Sequence, residues 1–265
     1  MDIIEHNRRV WNRQSIEGSA WATPVGPEVI AAARRGEWSL ILTPTRAVPR
    51  EWLGDVRGRD VLCLASGGGQ QAPVLAAAGA RVTSFDLSDE QLERDREVAR
   101  RDGLSLQTVR GDMRDLGAFA DASFDLVFHP ISNVFCPDVL PVWRECHRVL
   151  RPGGRLLAGM MNPCFFLFDH DALERGEAPV ATYALPYRDP ESLSDEARRR
   201  WEARGIAAEF SHSLDAQLGG QIAAGFTIAG FYEDRWTIEA TPLERFFPVC
   251  MATLAVRGCT REVNT

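Results

Sequence analysis

The feature that most constrains this chain is an apolar run that ends in three consecutive glycines. Residues 61–65 read Val-Leu-Cys-Leu-Ala, Ser66 follows, and Gly67, Gly68 and Gly69 precede an amphipathic stretch. Glycine permits positive φ and close approach of a ligand to the backbone, and a helix offers unpaired N–H groups at its start. The pattern predicts a strand, a tight turn and a helix that bind a nucleotide-type cofactor, although a plain strand-to-helix turn would use the same glycines.

A regular alternation of strands and helices surrounds this loop. The segments predicted as parallel strands lie at 61–65, 81–85, 106–109, 124–129 and 155–161. Two further runs, 226–233 and 246–256, are joined by a short connection, which favours antiparallel pairing. The sequence therefore predicts an α/β fold with an open, doubly wound, mostly parallel seven-stranded sheet, helices on both faces and an antiparallel C-terminal hairpin.

The regular alternation of predicted strands and helices, and the places where it breaks, divide the chain into four predicted segments. We expect an N-terminal helical cap over 1–55 and a cofactor-binding α/β core over 56–161. The segment 162–211 is rich in Pro, Asp, Glu, Arg and Tyr and lacks an evident buried strand, so we expect an inserted substrate lid there. The last segment, 212–265, is expected to complete the core.

The acidic charge balance argues against nucleic acid or an anionic membrane as the principal partner, although it leaves room for a local basic patch. The formal net charge is −7 with a pI near 5.4, whereas nucleic-acid phosphates and anionic membranes call for clustered positive charge. The charged residues at the start of the chain are unlike a signal peptide. We therefore predict a cytoplasmic protein. The cysteines are scattered, without the spacing of a disulfide framework or metal site. They are Cys63, Cys136, Cys146, Cys164, Cys250 and Cys259.

The stretch 61–161 resembles the class I S-adenosylmethionine-dependent methyltransferases at several motifs in order. Those motifs are the loop 61–69, Phe85-Asp86-Leu87-Ser88, Gly111-Asp112-Met113, Phe124-Asp125-Leu126-Val127 and the run from Glu145 to Gly154. The loop also satisfies the dinucleotide pattern G-x-G-x-x-(G/A), so a nicotinamide-dependent oxidoreductase has to be considered. The agreement of all five motifs favours the methyltransferases, and a small molecule is then the expected methyl acceptor.

The resemblance implies a role for individual residues. Ala65, Ser66, Gly67, Gly69 and Gln70 would border the methionine part of S-adenosylmethionine. Asp86, next to Leu87, would hold the ribose hydroxyls, because a carboxylate accepts two hydrogen bonds. The remaining cofactor residues implied are Asp112 and Met113 beside adenine, and His129 and Ile131 near the reactive methyl. Asp86 and Asp112 have a simpler alternative, which is to cap helices.

The sequence departs from the family pattern at two positions in the loop. The family often has an acidic residue where Cys63 stands and a glycine where Ala65 stands, so the network beneath the methionine moiety must be built differently. The tetrapeptide N-P-P-(Y/F) of base-modifying members is also absent after the fourth strand. Methylation of DNA bases is therefore disfavoured.

Candidates for the acceptor side are fewer. If the acceptor is a hydroxyl, His129 is the first candidate for a general base and His170, beside Asp169, the second. His129 is equally compatible with a buried structural role, and His170 with a solvated loop. Asn133, Phe135 and Phe165 are candidates for an acceptor pocket, and each would serve equally well as core.

Large aromatics are dense in the N-terminal segment. Trp11, Trp21, Trp38 and Trp52 lie within 1–55. They are expected to pack the extra helices onto the core, because such side chains supply much of the burial in an appendage, and a role in capping a pocket is the alternative.

Two other functions are compatible with the sequence. An oxidoreductase would need a second constellation such as Tyr-x-x-x-Lys, and none of Tyr183, Tyr187 and Tyr232 has a lysine four residues on. A non-catalytic protein that binds S-adenosylmethionine is the second. The favoured function is transfer of a methyl group to an O or N nucleophile of a small molecule.

Overall fold

One mixed sheet organises the molecule. The computed structural model describes residues 1–258, so Cys259 lies outside the described range. The sheet has seven strands in the order β3-β2-β1-β4-β5-β7-β6. In chain order the strands are β1 Asp60–Leu64, β2 Arg81–Asp86, β3 Leu106–Arg110, β4 Phe124–His129, β5 Leu150–Met161, β6 Phe226–Asp234 and β7 Cys250–Arg257.

The first five strands are parallel to their neighbours, and β7 pairs antiparallel with both β5 and β6. The prediction of a mostly parallel, doubly wound sheet closed by an antiparallel hairpin is therefore confirmed. Between β1 and β4 the strand order reverses direction, and in such sheets ligands bind beyond the carboxyl ends of the strands at that point.

Helices cover both faces of this sheet, which buries its central strands. The α-helices are α1 Ile3–Glu17, α2 Pro27–Arg34, α3 Arg50–Leu53, α4 Gln71–Ala77, α5 Asp89–Asp102, α6 Leu140–Val149, α7 His170–Glu174, α8 Asp195–Arg204 and α9 Gly220–Ala223. One apolar cluster packs α2 and α4 against one face, and a second packs α6 against the other.

The ends of α5 follow from local sequence. The Ser88 side chain accepts a hydrogen bond from the Gln91 amide at the N-cap, and Gly103 closes the helix with φ of 60°. Glycine adopts this left-handed conformation without a Cβ penalty. The capping-box spacing of Ser88 and Gln91 predicts a helix that starts at Ser88 and runs to Asp102, before Gly103, and the observed α5 agrees. This fixes the first turn of α5 directly beyond the carboxyl end of β2.

Two helices differ from the expectation. The sequence pattern predicts a helix over 137–150, stopped at Pro152. The observed α6 begins only at Leu140, after the 3-10 turn Asn133–Phe135, with a proline in its first turn. The sequence also predicts a helix near 214–224, whereas the structure has a π-helical turn, Asp215–Gly219, followed by the short α9. Two glycines at this junction weaken regular α-helical structure.

Candidate active site

A cavity of about 310 Å³ opens at the carboxyl ends of β1, β2 and β4, where the strand order reverses. Ala65 and Ser66 reach it from β1, Asp86 from β2, and Pro130 and Ile131 from β4. Most of its lining is apolar, with a small number of polar groups, as in binding sites for small molecules and cofactors.

The glycine loop turns sharply along the floor of this cavity. Ala65 has φ of 48°, Gly68 has φ of 119° and Gly69 has φ of 76°. Ala65 thus occupies a left-handed conformation that ordinarily favours glycine, and glycine is the residue that the family pattern has at this position. A Cβ on Gly67 would lie 2.8 Å from the Gln91 Cβ, so only glycine fits there without displacement.

Asp86 links the glycine loop to the start of α5. Its Oδ2 accepts a hydrogen bond of 3.0 Å from the Gly67 amide, and its Oδ1 accepts one of 2.9 Å from the Ser88 amide. The side chain lines the cavity, and burial raises the pKa of Asp86, while the backbone amides of Ser88, Gly67 and Leu87 act in the opposite direction. The result is a partly desolvated carboxylate with acceptor capacity left over.

A second carboxylate lies beneath the loop, at a position that sequence reasoning did not single out. Asp95 is fully buried on α5, where it accepts hydrogen bonds from the Gly69 amide at 2.8 Å and the Ser84 hydroxyl at 2.6 Å. Cys63, where the family often has an acidic residue, is buried in the core. The acid that supports this loop therefore comes from α5 and not from β1.

Burial of Asp95 makes stability depend on pH. Burial raises the pKa of Asp95 to about 7 from an ordinary value of 3.8, and the nearby charge of Asp86 acts in the same direction. Since the folded-state pKa is the higher one, folding takes up a proton between about pH 4 and pH 7. The contribution of this carboxyl to stability falls as the pH rises through that window.

Between pH 5 and pH 8 we expect the free energy of unfolding of wild type to fall by about 2–3 kcal/mol relative to that of Asp95→Asn. Asparagine does not titrate, and its amide can still accept from Gly69 and donate to the Ser84 hydroxyl. Urea unfolding of both proteins at the two pH values measures the difference. Asp55→Asn, at an exposed carboxyl, serves as the control, and a pH-independent difference for Asp95→Asn would contradict the expectation.

Most of the residues expected at the cofactor line the 310 Å³ cavity. They are Ala65, Ser66, Gly67, Gln70, Asp86, Leu87, Asp112, Met113 and Ile131. Gly69 does not line it, because its amide is held by Asp95 and its carbonyl oxygen accepts from the Val25 amide at 2.9 Å. The loop glycine on the cavity wall is Gly67, and Gly69 instead fastens the loop to its surroundings.

His129 is placed differently from the expectation. It is fully buried, its Nδ1 donates to the Leu64 carbonyl oxygen at 2.9 Å, and its ring lies 6.1 Å from that of Trp143 on α6. Burial lowers the pKa of His129 to about 4, and its Nε2 has no partner among the described residues. This placement corrects the interpretation of His129 as a cavity residue and general base, since its ring belongs to the packing behind β4.

Asp112 lines the cavity but is already paired. Its carboxylate forms a 2.6 Å ion pair with Arg114 and accepts from the Arg114 amide at 2.9 Å. Met113 lies beside it on the cavity wall. The amide, Nε and Nη2 of Arg114 all donate to this carboxylate, which leaves about one of its four lone-pair sites for a ligand.

A second, larger cavity of about 680 Å³ adjoins the first. Phe135 and Phe165 line both cavities, whereas His170 lines the second alone, with its ring stacked 4.0 Å from Phe165. Asn133 lines neither: it is fully buried, and its amide donates to the Gly159 carbonyl oxygen at 3.1 Å. The expectation that Asn133 shapes an acceptor pocket is therefore corrected, because its side chain turns towards β5.

The residues common to the two cavities are one carboxylate and a group of aromatics. They are Trp11, Trp21, Phe135, Phe165, Glu209 and Trp236. We call this set the junction. Sequence reasoning raised a pocket role for the N-terminal tryptophans only as an alternative, and it did not find Glu209 or Trp236, which are distant in the chain.

The other two N-terminal tryptophans lie away from both cavities. Trp52 packs against Tyr232 at 5.2 Å between ring centroids, and Trp38 lies under the Arg50 guanidinium at 4.4 Å. Trp38 and Trp52 therefore pack the N-terminal segment onto the core, as expected. Trp11 and Trp21 instead form cavity walls, which was the alternative.

The comparisons with known proteins agree with this geometry. Residues 62–158 match the methyltransferase domain family. The chain belongs to the class I S-adenosylmethionine-dependent methyltransferases, and S-adenosylmethionine is its cofactor. It is 47% identical over 233 residues to the uncharacterized methyltransferase YbaJ of Bacillus subtilis, which covers 88% of this chain and 91% of that protein.

Other relatives match more narrowly. The ubiquinone biosynthesis O-methyltransferase of Xanthomonas oryzae is 36% identical over 113 residues, covering 41% of this chain and 45% of that one. An S-adenosylmethionine-dependent methyltransferase from Mesorhizobium loti superposes with a TM-score of 0.61 at 22% identity, over 78% of this chain and 95% of its own. This last likeness concerns the fold.

None of the helices described between residues 1 and 258 combines the length and the apolar character that crossing a membrane requires.

Proposed function

We propose that this methyltransferase transfers the methyl group of S-adenosylmethionine to an O or N nucleophile of a small molecule held in the second cavity. The observation that carries the proposal is the junction, because its six residues line both cavities. A donor in the first cavity and an acceptor in the second would meet there. Displacement at the methyl carbon depends mainly on such alignment.

The residues of the first cavity fit the proposed donor. Asp86 offers a partly desolvated carboxylate for the ribose hydroxyls, and Gly67 leaves room that a Cβ would fill. Gln91 also lines the cavity, and its buried Oε1 has no partner among the described residues. An unpaired buried acceptor of this kind suits a donor group of the ligand, such as an amine.

We assign the remaining contacts to the methionine and adenine ends of the donor. Ala65, Ser66 and Gln70 are proposed beside the methionine part, and Asp112 and Met113 beside adenine. All five residues line the first cavity. A thioether packs well against a purine ring, and a carboxylate accepts from an exocyclic amine.

The part of the protein in the reaction is to hold the reactants and to exclude water. When bound, S-adenosylmethionine supplies an electrophilic methyl group on a sulfonium. The aromatic rings of the junction, including Phe135 and Phe165, would keep water from the point where the reactants meet. The inserted segment 162–211 is proposed as the element that selects the acceptor, since much of the second cavity is lined by it.

A small acceptor is preferred to a nucleic acid for an electrostatic reason. The second cavity is lined by six acids and one arginine, namely Asp169, Asp171, Glu174, Asp189, Glu209, Glu239 and Arg204. This excess of negative charge repels phosphate groups. We also place the reaction in the cytoplasm, a proposal supported by the free state of all five cysteines in the described range.

Calorimetry with S-adenosylmethionine and with NADPH tests the donor assignment. We expect saturable binding of S-adenosylmethionine and no heat above dilution for NADPH, and the reverse pattern would overturn the proposal. Transfer of a labelled methyl group to a panel of small alcohols, phenols and amines then tests catalysis. Binding without transfer to any extract or compound would favour a non-catalytic cofactor-binding protein.

A further inference from the structure

We propose that the acceptor is a small-molecule amine whose cationic nitrogen is bound at the junction by Glu209 and the surrounding aromatic rings. The inference rests on the proposed function, because it identifies the class of acceptor for the same pair of cavities. The junction consists of five aromatic residues and a single carboxylate. Aromatic faces together with one negative charge form the usual recognition site for an alkylammonium group.

The aromatic part of the junction comes from distant parts of the chain. Trp11 on α1 packs edge-on against Phe135 with centroids 4.9 Å apart, and Trp21 packs edge-on against Trp236 at 5.9 Å. These packed pairs hold the indole rings at the cavity walls. Rings held in place bind a cation without an additional ordering cost.

Glu209 is held in place through its backbone, and this leaves its side chain available. Its amide donates to the Asp189 carboxylate at 3.0 Å, and its carbonyl oxygen accepts from the Asp189 amide at 3.0 Å. The following residue, Phe210, donates its amide to the Val134 carbonyl oxygen at 2.7 Å. These bonds fix the chain on both sides of the carboxylate.

The same segment is fastened to α1 by Asn7. Its Oδ1 accepts from the Ala208 amide at 2.7 Å, and its Nδ2 donates to the carbonyl oxygens of Ala208 and Phe135 at 3.0 Å each. One buried side chain therefore sets the distance between the Glu209 segment and the Phe135 wall. The carboxylate and one of the aromatic walls are positioned together.

The other acids of the second cavity are paired, act as a helix cap or are exposed to solvent; Glu174 pairs with Arg204, and Glu239 is exposed. Asp171 pairs with Arg200 and Arg204, Asp169 caps α7, and Asp189 accepts from the Tyr187 hydroxyl. Glu209 differs from them: within residues 1–258 its carboxylate receives no hydrogen bond or ion pair. A half-buried carboxylate without a partner is costly unless a cationic ligand supplies one.

An amine must lose its proton before it can be methylated, and Glu209 is suited to receive it. Burial, with the nearby charge of Asp189, raises the pKa of Glu209 to about 7. The ammonium proton passes to a Glu209 oxygen, and the freed nitrogen lone pair forms the bond to the methyl carbon. The electron pair of the broken carbon–sulfur bond remains on sulfur, and Glu209 later releases the proton to water.

Choline and its neutral carbon isostere, 3,3-dimethylbutan-1-ol, test the inference in the wild-type protein. Both are titrated by calorimetry into protein saturated with S-adenosylhomocysteine. We expect choline, as a mimic of a methylated amine, to bind about tenfold or more tightly than the isostere. Equal affinity for the two probes, or no binding of choline, would overturn the inference.

Two variants locate the effect. Glu209→Gln is expected to weaken choline binding about tenfold or more while leaving S-adenosylhomocysteine binding within twofold of wild type. Glu202→Gln removes the same charge from an exposed position on α8 outside both cavities, and choline affinity should not change. Equal losses in both variants would show a general field effect and overturn the assignment to Glu209.

The titrations separate this inference from the function on which it rests. Failure of S-adenosylhomocysteine to bind would contradict the proposed function itself. Normal binding of S-adenosylhomocysteine without preference for choline would contradict only the amine assignment, and the acceptor would then be a neutral nucleophile.

Discussion

Asp86→Ala is expected to weaken S-adenosylmethionine binding by about 30- to 1000-fold, which corresponds to about 2–4 kcal/mol. The proposed contact is a carboxylate that accepts from two ribose hydroxyls, and hydrogen bonds to a charged group are worth more than neutral ones. The substitution also frees the Gly67 amide, which donates to Asp86 Oδ2 at 3.0 Å. Loss of the diol contact and loosening of the loop act in the same direction.

Calorimetry with the purified variant measures the affinity, and thermal unfolding shows whether the variant is folded. Asp89→Ala is the matched control, since Asp89 is a half-exposed acid three residues further on that pairs with Arg8 and Arg110. Its affinity for S-adenosylmethionine should equal that of wild type. A folded Asp86→Ala protein with unchanged affinity would contradict the assignment of the ribose contact.

The parts of the fold that sequence predicted correctly are those determined by neighbours in the chain. Strand β4 could be read from its predominantly apolar residues, because a parallel strand is covered on both faces. The start of α5 could be read from Ser88 and its end from Gly103, since capping depends on residues within one turn. The glycine loop between β1 and α4 follows from the same kind of local rule.

Asp95 shows where local reading stops. It is one of several charged residues in α5, and charge alone suggests a solvated helix. The available signal was its spacing, because Asp95 lies three residues from both Leu92 and Val98 on the buried side of the helix. A carboxylate on an apolar stripe indicates a buried partner, which here is the Gly69 amide.

The acceptor side was harder to predict for a different reason. His129 was singled out because it ends β4, but a strand buried on both faces can direct its last side chain into the core, here towards Trp143. Glu209 lies in an irregular segment, and its position depends on contacts with Asp189 and Asn7. Such contacts leave no periodic signal in one sequence, so neither placement followed from the residues alone.

Gly68→Ala is expected to destabilise the protein by about 3–5 kcal/mol. Gly68 has φ of 119°, a conformation that other residues rarely adopt, and a Cβ there would lie 2.5 Å from the Trp21 carbonyl oxygen and 2.8 Å from Gln91 Oε1. The Gln91 amide can rotate away, but the Trp21 oxygen belongs to the backbone. The backbone segment that places Trp21 at the junction would therefore have to move.

Gly36→Ala separates the two causes of this destabilisation. Gly36 has φ of 85°, and a Cβ there would meet no atom within 4 Å, so the variant carries only the conformational cost of about 1 kcal/mol. Urea unfolding of both variants measures the difference, which represents the contact between the loop and the Trp21 segment. Equal losses of stability in the two variants would mean that the Trp21 segment can move without a free-energy cost. The close packing of the glycine loop against the N-terminal residues would then not constrain the cavity.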